Sequence, residues 1–339
     1  MARYINSVVV AVAVALSACG GGENDAGQSI SREIAYKQVQ KERQVMDSPG
    51  ERVAVTKAFL NRYPESEYTA DAVDVVYYYQ GDELNDKPGA LAYAEKIRAR
   101  IDDPEVGRQV DRLLIAYYGE AGLVDKMVGL AEKVDGAGAL GFNDRWNVIV
   151  GASDAGRWRL VRDYCDRARE LATPAALRAE NPNHDYSDSE AREAAGEREG
   201  MLLVQDGWAR ANLGDVDGAL ADLAEADGLV PRYYFDVPEY ELNVYWGRTL
   251  IMKGRYEAAI EKLATQGLIL RNEAALEGLK EAYVRMRGND AGFDAFASKL
   301  HFETATTIDD FEMPDYEGNR RKFSEIRGDV TLLALWFPT

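Results

Sequence analysis

Residues 207–231 read GWARANLGDVDGALADLAEADGLVP. Gly214 stands between two amphipathic stretches, where a tight turn between antiparallel helices needs a residue free of Cβ clashes. Gly207 falls in the first stretch, Ala219 and Ala226 fall in the second, and Pro231 closes the unit. Small residues at such positions let two helices cross closely. The segment that follows repeats the arrangement with Gly247, Gly254, Tyr256 and Ala259.

Outward from this segment the pattern recurs. Gly254 and Gly288 are 34 residues apart, and so are Gly122 and Gly156. Each glycine follows one amphipathic segment and opens another, and a fixed period of this length marks a repeat architecture. The units resemble tetratricopeptide repeats, most closely over residues 200–290. That resemblance implies a mainly α fold, a tetratricopeptide-like helical-hairpin array over residues 34–300, with about six hairpins and degenerate outer ones. Residues 58–81, AFLNRYPESEYTADAVDVVYYYQG, resemble the hairpins of envelope repeat proteins, with Pro64 ending a helix. Two stretches interrupt the register. Gly214 and Gly254 are 40 residues apart, which places a short insertion around residues 232–235. Residues 179–198 read as an exposed loop running into a helix, with His184 solvated.

The aromatic residues Tyr77, Tyr78, Tyr79, Trp158, Trp208 and Trp246 are expected in the inter-helix core. Cys165 is expected to pack inward as a small hydrophobe. Repeat arrays commonly present a concave surface to a protein or peptide, so a partner of that kind is expected on the array. No residue names it.

The first residues carry a different signal. Arg3 precedes an apolar run at residues 8–16, and Leu16-Ser17-Ala18-Cys19 follows. That order is a charged region, an apolar region and a small-residue cleavage site, and the run is too short to span a bilayer. It resembles the bacterial lipobox, whose cysteine is diacylated and becomes the new N-terminus. The resemblance implies a signal peptide over residues 1–18, lipid on Cys19, and membrane attachment through that lipid. Three glycines and a polar stretch make residues 19–33 a flexible tether. Gly20 in place of aspartate after the cysteine favours, by the same resemblance, the outer membrane facing the periplasm of the cell envelope.

Composition narrows the function further. The chain has 339 residues and a formal net charge of −18, which argues against nucleic acid or anionic lipid as a partner. With Cys19 committed to lipid, Cys165 has no disulfide partner. His184 and His301 are far apart, so no zinc site is expected. Asp215-Val216-Asp217-Gly218 fails as a calcium loop, because its glycine comes too early and the bidentate glutamate is missing. No metal and no cofactor are implied.

From about Thr307 helical periodicity gives way to turns and a strand. Glu317-Gly318-Asn319-Arg320 is a hairpin signal between residues 311–313 and 321–323. Residues 324–328 read as a capped helical turn closed by Gly328. Residues 330–337 are a continuous apolar run, as in a strand buried on both faces. Asp310, Phe311, Asp315, Gly318, Ser324, Gly328, Val330 and Trp336 match a phrase that opens the redoxin branch of the thioredoxin-like superfamily, and the segment resembles that family. It implies thiol–disulfide or peroxide chemistry, an α/β thioredoxin-like domain beginning near residue 301, and Trp336, Pro338 and Thr339 leading directly to a nucleophilic cysteine. That cysteine would sit at a helix N-terminus, which lowers its pKa.

The 339 residues stop short of it, so the expectation is an incomplete, inactive domain with no catalytic residue present. Two explanations stay open: a fragment, or a UGA codon for selenocysteine read as stop. The leading expectation is a membrane-anchored thiol–disulfide oxidoreductase or redoxin of the envelope. The alternative is a repeat-array scaffold or assembly lipoprotein with no enzymatic activity.

Overall fold

The computed structural model of the chain describes residues 25–138, 140–232, 236–304, 310–314 and 317–326, with side chains from residue 31. Over these residues the protein is mainly α. It divides into two compact units, Met1–Asp215 and Val216–Thr339. Each unit has its own core. One apolar cluster runs from Ala35 to Ala209, and a second runs from Val244 to Ala282.

The first unit contains α1 (Asp25–Val45), α2 (Pro49–Arg62), α3 (Thr69–Val76), a π-helical stretch (Tyr77–Glu83), α4 (Lys87–Arg98), α5 (Pro104–Glu120), α6 (Val124–Asp135), α7 (Phe142–Asp154), α8 (Trp158–Arg169), α9 (Pro174–Glu180) and α10 (Asp188–Asn212). Helix α1 begins inside the stretch expected to be a tether. After residues 20–22 that stretch turns to helix-forming types such as Ala26, Gln28 and Arg32, which outweigh the single Gly27. Helix α2 stops two residues before Pro64, as expected. The expected loop over residues 179–198 shrinks to residues 181–187, leaving His184 exposed. Thr173 caps α9, and Ser187 with Glu190 forms a capping box that starts α10.

The second unit contains α11 (Val216–Ala226), α12 (Leu242–Met252), α13 (Tyr256–Ala264), a π-helical stretch (Thr265–Ile269), α14 (Glu273–Arg287), α15 (Phe293–Thr304), β1 (Glu312–Pro314), β2 (Arg320–Lys322) and α16 (Phe323–Ile326). Around the insertion, Arg232 bridges to Pro238 in antiparallel fashion and its guanidinium holds Asp227.

Helix packing follows one scheme within each unit. Most consecutive helices of a unit pair, and some alternate ones also touch: α5 meets α7, α8 meets α10, and α12 meets α14. Turn glycines join three of the pairs: Gly122 links α5 to α6, Gly156 links α7 to α8 and Gly254 links α12 to α13. Gly122, Gly156, Gly214 and Gly254 all have φ between +66° and +95°. At each, the glycine N–H donates to the carbonyl three residues back, and the next N–H donates five residues back. That is the Schellman geometry, which a left-handed residue without Cβ closes best. The following helix starts two residues later in all four. Gly288 (φ +83°) ends α14 by the simpler single bond to Val284.

Small residues sit where helices cross. Ala219, Ala226 and Ala259 are fully buried, and a Cβ on Gly247 would lie 2.4 Å from Cγ of Leu263. Of the aromatics expected inside, Tyr77 is buried, whereas Tyr79, Trp158, Trp208 and Trp246 are half-buried. Tyr78 is 48% exposed. Three consecutive residues of a helical stretch point to different sides of it, so they do not all face the core.

One device occurs in both units and was not expected. Leu84 and Asp86 donate to Tyr79 and Gln80, and Leu270 and Asn272 donate to Thr265 and Gln266. In each case a Gln-Gly pair opens the wide turn and a left-handed residue follows, Asn85 or Arg271. Asp86 or Asn272 then caps the next helix. The close approach of Gly267 to the backbone of Ala275 and Leu276, 3.0 to 3.2 Å from where its Cβ would be, requires glycine there.

Candidate functional site

The C-terminal phrase folds as a small, closed motif. β1 and β2 pair antiparallel in the register Glu312 with Lys322, Met313 with Arg321 and Pro314 with Arg320. Gly318 has φ +85° in the connection, as the expected hairpin turn needs. Phe323 N–H donates to the Phe311 carbonyl at 2.8 Å, and the two rings stack with centroids 5.1 Å apart.

Asp310 does the capping. Its Oδ1 accepts the Ser324 N–H at 2.8 Å, and its Oδ2 accepts the Ser324 hydroxyl at 2.8 Å. A capped helical turn was expected over residues 324–328. Ser324 lies one residue inside α16 and donates, because the free N–H groups of a helical first turn are met best by a full carboxylate. The motif thus gathers Asp310, Phe311, Gly318 and Ser324. The other residues singled out, Cys19, Asp315, Gly328, Trp336, Pro338 and Thr339, lie outside the described residues, as does the apolar run over residues 330–337.

No protein-family model matches the chain, and no curated protein matches it.

Cys165 is the free cysteine among the described residues. Cys165 on α8 is fully buried, with its thiol directed at the Leu202 carbonyl. Burial, reinforced by Asp206, pushes that thiol well above its usual range, the reverse of what a nucleophile needs. Among the described residues no group of His, Cys, Asp and Glu could hold a metal ion. None of their helices is long and apolar enough to cross a membrane.

Within the first unit, α4, α5 and α6 enclose an open groove of about 550 Å³. Leu114 and Tyr118 of α5 form its buried floor. Asp111 is buried and gripped by Arg98, Nε to Oδ1 at 2.6 Å and a terminal nitrogen to Oδ2 at 3.0 Å. Glu95 accepts from Lys126 at 2.9 Å and from the Tyr118 hydroxyl at 2.8 Å, and these bonds hold its carboxyl below its usual value. Lys126, Gly129, Leu130 and Lys133 of α6 line the remaining wall. Sequence reasoning missed this groove. Their spacing of three, one and three residues is one face of a helix, and that signal was available.

Proposed function

We propose that the chain is the lipid-anchored, helical part of an envelope thiol–disulfide oxidoreductase of the redoxin type. In this reading Cys19 carries the lipid and the protein sits at the outer membrane facing the periplasm. The helical hairpins of tetratricopeptide type hold the redox segment away from the bilayer or dock its partner.

The observation that carries the reading is the Asp310–Ser324 cap with the Phe311–Phe323 stack. Four of the positions on which the redoxin resemblance rests meet in one motif, although 14 residues separate its ends. Cys165 is buried, and in this reading the reactive residue is the one that the redoxin resemblance places after Trp336-Phe337-Pro338-Thr339.

The test is to read the gene through the codon after Thr339 and to assay the product of the whole natural gene in insulin reduction. A cysteine codon, or UGA followed by thioredoxin-like sequence, together with activity lost on replacing that residue, supports the reading. A codon for any other residue sinks it.

The groove of α4, α5 and α6 favours a second reading, a scaffold or assembly lipoprotein that binds a partner and has no enzymatic activity. An inactive gene product that still binds a partner would select it.

A further inference from the structure

The groove in the first unit carries a charge pattern at odds with the rest of the molecule. The chain has a net charge of −18, yet this groove holds three cations, Arg98, Lys126 and Lys133, against two carboxylates, Glu95 and Asp111. Both carboxylates already accept well-formed bonds from Arg98, Lys126 and Tyr118. The surplus falls on the α6 wall. Lys133 comes no closer than 3.9 Å to Asp111, outside hydrogen-bonding distance, and its side chain is 68% exposed. The Lys126 side chain is 58% exposed, and such a surface pair with Glu95 is weak enough to share its ammonium.

The wall between the two lysines is open. Gly129 presents no side chain, and a Cβ built there would meet nothing within 4 Å. Leu130 and the floor residue Leu114 add apolar surface beside it. A ligand main chain can therefore lie directly on α6, with an ammonium at each end of its track. Seven helical residues separate Lys126 from Lys133, which is about 10 Å along the axis. An extended polyproline-type chain returns to the same face every three residues, or about 9 Å.

We propose that this groove binds an extended acidic segment of a partner protein, with carboxylate side chains three residues apart on Lys126 and Lys133. The fit is one of charge and spacing. An anionic ligand is favoured because both groove carboxylates already accept hydrogen bonds and three cations line the groove against them. The proposal is independent of the redox reading, because groove and test lie in the first unit and involve no thiol.

The probe is a fluorescein-labelled peptide, Gly-Pro-Glu-Pro-Pro-Glu-Pro-Gly amide, titrated with the full chain in detergent micelles and followed by anisotropy. Saturable binding that weakens with added salt is expected. Its glutamine counterpart should bind about tenfold or more weakly, as should the wild-type peptide to Lys126→Gln/Lys133→Gln. Gly129→Leu should block binding while raising thermal stability, which separates loss of the track from loss of the fold. No binding of the glutamate peptide overturns the proposal. So does equal affinity for the glutamine peptide, and so does unchanged affinity in either variant.

Discussion

The ring of Tyr77 lies flat on that of Tyr117, with centroids 3.5 Å apart and planes 4° from parallel. Tyr117 donates to Asp74 at 2.8 Å, and Tyr77 donates to Glu120 at 3.2 Å. The π-helical stretch that opens at Tyr77 thereby reaches α5, on which Tyr117 lies, and two phenols are held neutral in the first unit.

This arrangement predicts an alkaline weakness. Burial, with Glu120 beside it, pushes Tyr77 up to about 12, and burial does the same to Tyr93, Tyr118 and Tyr164. Burial and Asp74 move Tyr117 upward as well. Each folded pKa lies above the unfolded value of 10, so the fold favours the proton. The resulting stability is fully present below pH 10 and is lost as pH rises from 10 through 12. Absorbance at 295 nm should show tyrosine ionisation continuing toward pH 12, with the urea midpoint falling between pH 10 and 12. Tyrosine ionisation complete by pH 11 in the folded protein would refute it.

Two helical glycines should respond oppositely to alanine. Gly247→Ala places a methyl against Leu263, itself fully buried, and overpacking of that kind costs about 1–3 kcal/mol, more than the gain in helix propensity. Gly129→Ala meets open space and should stabilise by about 0.5–1 kcal/mol. Urea unfolding of the two variants measures both signs.

Asp310→Ala removes the cap on α16 and should cost that turn about 1–2 kcal/mol. The Ser324 amide would then exchange with solvent roughly 5 to 30 times faster. Ser324→Ala keeps the main-chain bond and loses only the hydroxyl, so its effect should be smaller. Equal exchange in wild type and Asp310→Ala would show that the cap contributes nothing.

Cys165 should behave as an inert thiol. Ellman's reagent should leave it unlabelled in the folded protein and label it at once in denaturant, since burial removes access and disfavours the thiolate. Rapid labelling under native conditions would contradict its placement.

Lipid on Cys19 is checked by growing the host with labelled palmitate. The protein should take up label, and Cys19→Ala should take up none and leave the membrane fraction. Label retained in that variant would place the acyl chain elsewhere.

Particular residues show how far the chain can be read unaided. The five turn glycines were legible because a left-handed backbone is a local requirement, and glycine meets it with least strain. Gly318 and the β1–β2 hairpin were legible for the same reason. The Gln80-Gly81 and Gln266-Gly267 turns were not, since nothing in their residue types separates a π-helical stretch from an ordinary helix end.

Local sequence therefore determined where helices stop, turn and restart, and where the C-terminal motif begins, because caps and turns depend on residues within a few positions of one another. Tertiary structure decided the rest. It divided the helices between two cores and turned Tyr78 outward while Tyr77 went in. It also brought Asp310 to α16 as its cap. Arg98 met Asp111, 13 residues away, and a groove formed beside them. These outcomes turn on which side chains meet across packed helices, and periodicity along one chain specifies a helix's buried face without specifying its neighbour.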